Sequence, residues 1–234
     1  MKILVIDVGG THVKVLATGQ PAEIKMDSGP SMTARTMAKK VLTAVQDWTF
    51  DHVTIGYPGV VVHDKPVTEP HNLAKGWVAF DYRRAFGKPV RILNDAAMQA
   101  LGAYEGKRML FLGLGTGLGS ALIVDGVIEP LELAHLPYRK SRTYEDYLGQ
   151  AGLNRMGKKR WRKHLAKVID LLKTAVEADY VVLGGGNSRL MTDLPKGVRL
   201  GNNADAFTGG FRVWESGEQT TTHRARKKST GGPR

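Results

Sequence analysis

Residues 1–16 read MKILVIDVGGTHVKVL, and this stretch decides the fold. Two short apolar runs, 2–6 and 13–16, flank Asp7, Val8, Gly9, Gly10, Thr11 and His12, which is the pattern of a β-hairpin with a glycine tip. Glycines at such a tip leave backbone N–H groups uncovered, and uncovered N–H groups can cradle a phosphate. Asp7, just ahead of the turn, is placed to hold the Mg²⁺ that accompanies polyphosphates. A glycine turn beside a solvated Asp is the plain alternative for Gly9 and Gly10 alone. A second unit of the same design changes that balance. Residues 109–112 (MLFL), 113–119 (GLGTGLG) and 120–124 (SALIV) again give strand, glycine loop, strand.

The intervening chain alternates between the two periodicities. A helical pattern covers 33–48, with Met37, Val41, Ala44, Val45 and Trp48 on one face. A short strand running into a Gly/Pro loop is expected over 53–59, a strand over 90–93 that breaks off at Asn94 and Asp95, and a short helix over 96–104. A long amphipathic helix is expected over 158–178, with Trp161, Leu165, Val168, Ile169, Leu172 and Val176 inward. The strand 180–183 opens into Gly184, Gly185 and Gly186, and residues 203–214 close the fold. This order predicts a duplicated α/β architecture with a cleft between two lobes, residues 1–93 and 94–214, whose last helix can pack back on the first lobe. Residues 215–234 are polar, basic and rich in Thr and Gly, and are expected to be disordered.

Bulk properties narrow the function classes. The chain has 234 residues, 42% apolar and 24% charged, with 28 Gly and no Cys. Disulfides and thiolate metal sites are therefore excluded, and the composition fits a reducing cytoplasm. No run approaches the length of a membrane span, and the first apolar run ends at Asp7, too early for a signal-peptide core. The net charge of +12 is concentrated. Residues 139–167 hold ten Lys and Arg against Glu145 and Asp146, and the tail adds more. Such focused charge suits a polyanion: polyphosphate, nucleic acid, or the phosphates of a nucleotide. The run 158–163 (KKRWRK) reads as a solvated helix face, a guide for polyphosphate, or a nucleic-acid site. The last is disfavoured because one Trp at core spacing is not a stacking platform.

Taken in order, Asp7-x-Gly9-Gly10-Thr11-x-x-Lys14, Gly56-x-Pro58-Gly59, Asn72-Leu73-x-x-Gly76-Trp77, Asn94-Asp95-Ala96, Gly115-Thr116-Gly117-x-Gly119, Glu132-x-x-His135 and Gly184-Gly185-Gly186 resemble the ROK family of sugar kinases. The resemblance spans nearly all of residues 2–214, and the run through Trp161 is most similar to the polyphosphate glucokinases within that family. It implies duplicated actin-like ATPase (ribonuclease H-like) lobes around a central cleft. It also implies transfer of a phosphoryl group from polyphosphate or ATP to the 6-hydroxyl of glucose or a related hexose.

The resemblance assigns roles residue by residue. Asp95 is the candidate general base, although an Asn-Asp pair after a strand also serves to cap a helix. Asp7 holds Mg²⁺ directly or through water. Gly9, Gly10, Thr11 and Lys14 form one phosphate grip, Gly115, Thr116 and Gly117 the second, and Gly184, Gly185 and Gly186 the adenosine-side loop. Gly59, Asn72, Asn94, Asp95, Glu132 and His135 surround the sugar, where amides and carboxylates can pair with adjacent hydroxyls. His12 stands where relatives carry a small residue, and either touches the donor or points to solvent.

Ala134 and Pro137 depart from the Glu-x-Gly-His-x-Glu pattern of many glucokinases, which leaves mannose or an acetamidosugar as alternatives to glucose. The family's cysteine zinc motif is missing, so no zinc is expected and His135 is not read as a metal ligand. The expected partners are a hexose, the phosphoryl donor and a second copy of the chain in a homodimer, with no membrane. The rival reading is a non-catalytic ROK-type protein that responds to sugar or phosphate.

Overall fold

The computed structural model describes residues 1–202 and 204–215. Two five-stranded sheets share one topology. The first is built from β1 (Ile3–Val8), β2 (His12–Ala17), β3 (Ile24–Asp27), β4 (His52–Tyr57) and β5 (Val90–Asn94), in the order β3-β2-β1-β4-β5. The second uses β6 (Arg108–Leu114), β7 (Leu118–Val124), β8 (Val127–Leu131), β9 (Tyr180–Gly184) and β10 (Val198–Leu200), in the order β8-β7-β6-β9-β10. In each sheet the first three strands form an antiparallel meander and the last two join in parallel. The duplicated α/β architecture expected from the two glycine hairpins is present.

The central strands are apolar on both sides because both sides are covered. Leu4, Ile6 and Val8 of β1 face α1 (Ala34–Ala44), where Met37 and Val41 are buried. Ile3 and Val5 face the opposite way, onto Met98, Ala206 and Phe207. In the second sheet Leu110, Leu112 and Leu114 pack on Trp161, Leu165, Val168, Ile169 and Leu172 of α5 (Gln150–Ala175), and Met109 and Phe111 on the alanines of α3 (Asp95–Ala103). Between α1 and α3 lies the short α2 (Tyr82–Phe86), and ahead of α5 the short α4 (Tyr144–Leu148). The last helix, α6 (Asp205–Arg212), lies beside α3 in the layer between the two sheets.

The α3–α6 pair fits between the sheets because its contact is made of backbone. A side-chain carbon on Gly102 would stand 1.8 Å from the Asp205 carbonyl oxygen, and one on Gly209 equally close to that of Met98. Thr54, fully buried in β4, fastens the end of α6 to the first sheet. Its hydroxyl donates to the Gly210 carbonyl at 2.7 Å and accepts from Trp214 Nε1 at 2.8 Å.

Three boundaries differ from the sequence expectation. The helix begun at Ala34 stops at Ala44 with Val45 as its cap, and Trp48 packs on the core from the turn beyond. The long helix starts earlier than 158 but breaks at Gly157, whose φ of 76° and ψ of 160° are not helical. It ends at Ala175, leaving Val176 as the cap rather than an inward helical residue. Apart from residue 215, the basic tail over 215–234 lies outside the described residues, as does Asn203. Among the described residues no helix is long and apolar enough to cross a membrane.

Candidate active site

The first hairpin sets Asp7 opposite Lys14, the two residues paired across β1 and β2. Both are half-buried. Burial pushes the Asp7 carboxyl up to about 6, with the Lys14 charge pulling down and Glu23 pushing up. The tip closes through Gly9 N–H to the His12 carbonyl at 2.9 Å, and Ser28 Oγ donates to the Gly9 carbonyl at 2.6 Å. The amides of Gly10 and Thr11 have no protein acceptor among the described residues. His12 is turned to the neighbouring strand, its Nε2 standing 3.7 Å from Asp27 Oδ1.

The second hairpin is held from its carbonyl side. Gln150 N–H donates to the carbonyls of Gly115 and Thr116 at 3.1 Å, and Asn187 Nδ2 donates to that of Gly115 at 3.2 Å. Thr116 and Gly117 keep their amides without a protein acceptor among the described residues. Leu118 N–H donates to Glu145 Oε2 at 3.0 Å. With the carbonyls occupied behind, the tip offers N–H groups forward, which is the polarity a phosphate requires.

Asp95 stands between the hairpins, at the start of α3. Asn94 takes the capping role, its Oδ1 accepting from Ala97 N–H at 3.1 Å, while its Nδ2 donates to the Gly59 carbonyl at 3.1 Å. Asn94 thus leaves Asp95 free of the capping role, and Asp95 Oδ1 accepts from Ala96 N–H at 2.8 Å. Gly119 of the second hairpin lies against Ala96, where a side-chain carbon would stand 2.7 Å away. Burial, then the charge of Asp7, then that of Glu132 push the Asp95 carboxyl up to about 7, against the pull of the Ala96 N–H bond. Two carboxyl groups pushed up toward neutrality by burial, one acting on the other, are the electrostatic mark of an acid–base site.

The remaining candidates fall into three sets. Asp7, Lys14 and Gly184, Gly185 and Gly186 line one cavity of about 650 Å³ with Arg189 at its edge. Gly185 adopts φ 77° there, with the Leu114 backbone within 3 Å of where a side chain would be, so only glycine lets the loop lie on β6. Asn72 packs across Gly10. Its loop is held by the Glu69 carboxylate, which accepts from the N–H groups of Gly76 and Trp77 at 3.0 Å and of Val78 at 3.4 Å. Glu132 is exposed at the end of β8, and its charge reaches Asp95. His135 is exposed on the following 3₁₀ turn and touches none of the other candidates among the described residues. Ala134 is buried and Pro137 is exposed.

Glu145, Glu69, Gln150 and Asn187 are the supporting residues that sequence reasoning missed. Glu145 follows Thr143, and Thr143 with Asp146 forms a capping box that announces a helix start. That signal locates the turn of α4, but nothing in it tells that the carboxylate reaches back to a hairpin.

Comparison with known proteins identifies the family. The ROK family model matches residues 3–129. The polyphosphate glucokinase of Mycobacterium tuberculosis is 30% identical over 205 residues, covering 79% of this chain and 77% of the relative. The inorganic polyphosphate/ATP-glucomannokinase of Arthrobacter sp. strain KM superposes with a TM-score of 0.78 at 22% identity, covering 93% of this chain and 99% of that one. The ROK hexokinase of Thermus thermophilus gives a TM-score of 0.72 at 17% identity, over 92% of this chain and 100% of that one. The last two carry the fold alone, the actin-like ATPase architecture. With the family model spanning more than half of the residues and the mycobacterial relative matched along most of its length, the chain belongs to the ROK family.

Proposed function

We propose that this chain is a hexose kinase that moves the terminal phosphoryl group of polyphosphate or ATP onto the 6-hydroxyl of glucose or a related hexose. The observation that carries the reading is Asp95: a half-buried carboxylate at the head of α3, near Asp7, flanked by two hairpin tips with free amides. The names of the mycobacterial and Arthrobacter proteins support both donors, and the latter supports mannose beside glucose.

Phosphoryl transfer asks the protein mainly for positioning and charge stabilisation. The Gly59, Asn72, Asn94, Glu132 and His135 group would bind the hexose, with its 6-hydroxyl toward Asp95. Asp95 takes the hydroxyl proton as the oxygen attacks phosphorus, and the bond from phosphorus to the donor's bridging oxygen breaks. Amides of Gly10, Thr11, Thr116 and Gly117, with Lys14, would hold the phosphate oxygens in line. Residues 1–93 and 94–214 act as the lobes that close on both substrates and exclude water.

The donor set fits Mg²⁺. The charge of Asp7 pushes up the carboxyl of the half-buried Asp95, Lys14 is the cation opposite Asp7, and Mg²⁺ is held by one or two carboxylates with phosphate oxygens and water. Among the described residues no group of three His, Asp or Glu side chains closes a cage around a metal, so Asp7 is the protein's contribution, directly or through water. When bound, Mg²⁺ would neutralise charge on the transferring phosphates. The reading includes a homodimer acting in the cytoplasm, which sedimentation and localisation would check.

The test is formation of hexose 6-phosphate from glucose and mannose, each with ATP and with polyphosphate, beside the Asp95→Asn variant. Turnover with at least one pair, and a loss of about 10²–10⁴-fold in the variant with sugar binding kept, is expected. Wild-type rates in the variant would remove Asp95 from the role.

A further inference from the structure

The donor cavity is bordered on one side by the turn Gly186–Leu190, which carries Arg189, exposed, at the cavity edge. The next residue fastens this turn to α5, because Arg162 Nε donates to the Leu190 carbonyl. Lys158 stands one helical turn ahead of Arg162, on the same edge of the helix. The cavity lining carries Lys14, Arg189 and Arg199 beside Asp7, Glu105 and Asp205, and from its Arg189 edge Arg162 and Lys158 continue the basic surface along α5.

Outside the cavity, where Lys14 faces Asp7, these cations have no ion-pair partner among the described residues. The chain has no acidic residue between Asp146 and Asp170, while Arg155, Lys158, Lys159, Arg160, Arg162, Lys163 and Lys167 fall in that interval. Among the described residues none of them joins an ion pair. Lys158, Lys159 and Arg160 also follow directly on the break at Gly157, where a helical segment restarts and its dipole disfavours positive charge. Like charges gathered at such a place destabilise the free protein, and a bound polyanion offsets that. The aromatic content selects among polyanions. Trp161 is fully buried and its Nε1 donates to the Leu148 carbonyl at 2.9 Å, so the one Trp of the basic run offers no ring on which a base could stack.

We propose that long-chain polyphosphate extends out of the donor cavity past Arg189 and lies along Arg162 and Lys158, so that these residues set the preference for long chains over short ones. The proposal rests on the phosphoryl-transfer reading above. It concerns binding beyond the reacting phosphate, and ATP and tripolyphosphate are too short to use it.

The experiment measures direct binding of long-chain polyphosphate and of tripolyphosphate, together with turnover on each and on ATP. It compares the wild type, Lys158→Gln, the Lys158→Gln/Arg162→Gln pair, and Arg162→Lys, which keeps the charge. The wild type binds the long chain more tightly than tripolyphosphate. The pair loses about tenfold in long-chain affinity, and its salt slope falls by roughly one for each charge removed. Values for ATP and tripolyphosphate stay as in the wild type, and Arg162→Lys keeps most of the affinity. Lys158 is exposed and makes no bond, so Lys158→Gln alone reports on a folded protein and is expected to lose a few-fold. Equal affinity for long and short chains in the wild type overturns the proposal. So does unchanged long-chain binding in both Gln variants, or tighter binding of single-stranded RNA of equal charge. Absence of turnover with every donor would instead sink the kinase reading, and the binding comparison would still decide the track.

Discussion

Replacing Asp95 by Asn is expected to stabilise the ligand-free protein while removing its activity. Burial and the Asp7 charge raise this carboxyl from 3.8 to about 7, so the folded protein holds the proton over a range where the unfolded chain has released it. Stability from this group is fully present below about pH 4 and is lost as pH rises toward 7. Each unit is worth about 1.4 kcal/mol, so the ionised side chain costs the fold up to about 4 kcal/mol above neutrality. Roughly 2–3 kcal/mol of that is lost between pH 5 and pH 8, less the share that water reaching a half-buried carboxylate screens. Asn does not titrate, and its Oδ1 can still accept from Ala96 N–H. Urea unfolding of both proteins in chelator at pH 5 and pH 8 should therefore show the variant gaining on the wild type by about 2 kcal/mol as pH rises. A gap independent of pH, or a variant less stable at pH 8, would refute the reasoning.

Other perturbations read different parts of the same design. The wild-type kcat/KM should rise with pH through about 7 as Asp95 loses its proton, and a profile flat from pH 5 to pH 8 would count against it as the base. Gly209→Ala puts a carbon 1.8 Å from the Met98 carbonyl oxygen and should cost about 3 kcal/mol or more, read as a lowered urea midpoint. Thr54→Val leaves the Gly210 carbonyl and Trp214 Nε1 without their partner, and a loss of about 2–4 kcal/mol is expected from the same assay. Glu145→Ala frees the Leu118 amide and should raise the donor KM about tenfold, whereas Gln, which keeps an acceptor, should raise it less.

What the sequence displayed best was the site's frame. Apolar runs broken by glycine announced both hairpins because strand periodicity and tip chemistry act within a few residues of one another. Asp95 was visible as a polar break after a strand, but its division of labour with Asn94 was not, since both side chains suit either task. The end of α1 was hidden for a related reason: Val45 and Trp48 continue the helical stripe, yet pack on the same core from a cap and a turn. Gly157 was hidden inside an amphipathic pattern that continues on both sides of the break. Short edge strands such as Ile24–Asp27 and Val198–Leu200 mix exposed and half-buried positions, so neither periodicity marks them. Glu145 acts through space on a hairpin 27 residues earlier, a distance no local pattern records.

The place of α6 has a consequence for the order of synthesis. The Ile3 and Val5 side of the first strand to leave the ribosome is covered by Ala206 and Phe207, among the last described residues to be made. Its sheet can be complete at Asn94, and at about 5–20 residues per second it then waits several seconds or more for Asp205–Arg212. During that interval the nascent chain exposes the Ile3 and Val5 face and lacks the helix against which α3 is seated. The α3 layer that begins at Asp95 is therefore completed only when translation of the fold is nearly over.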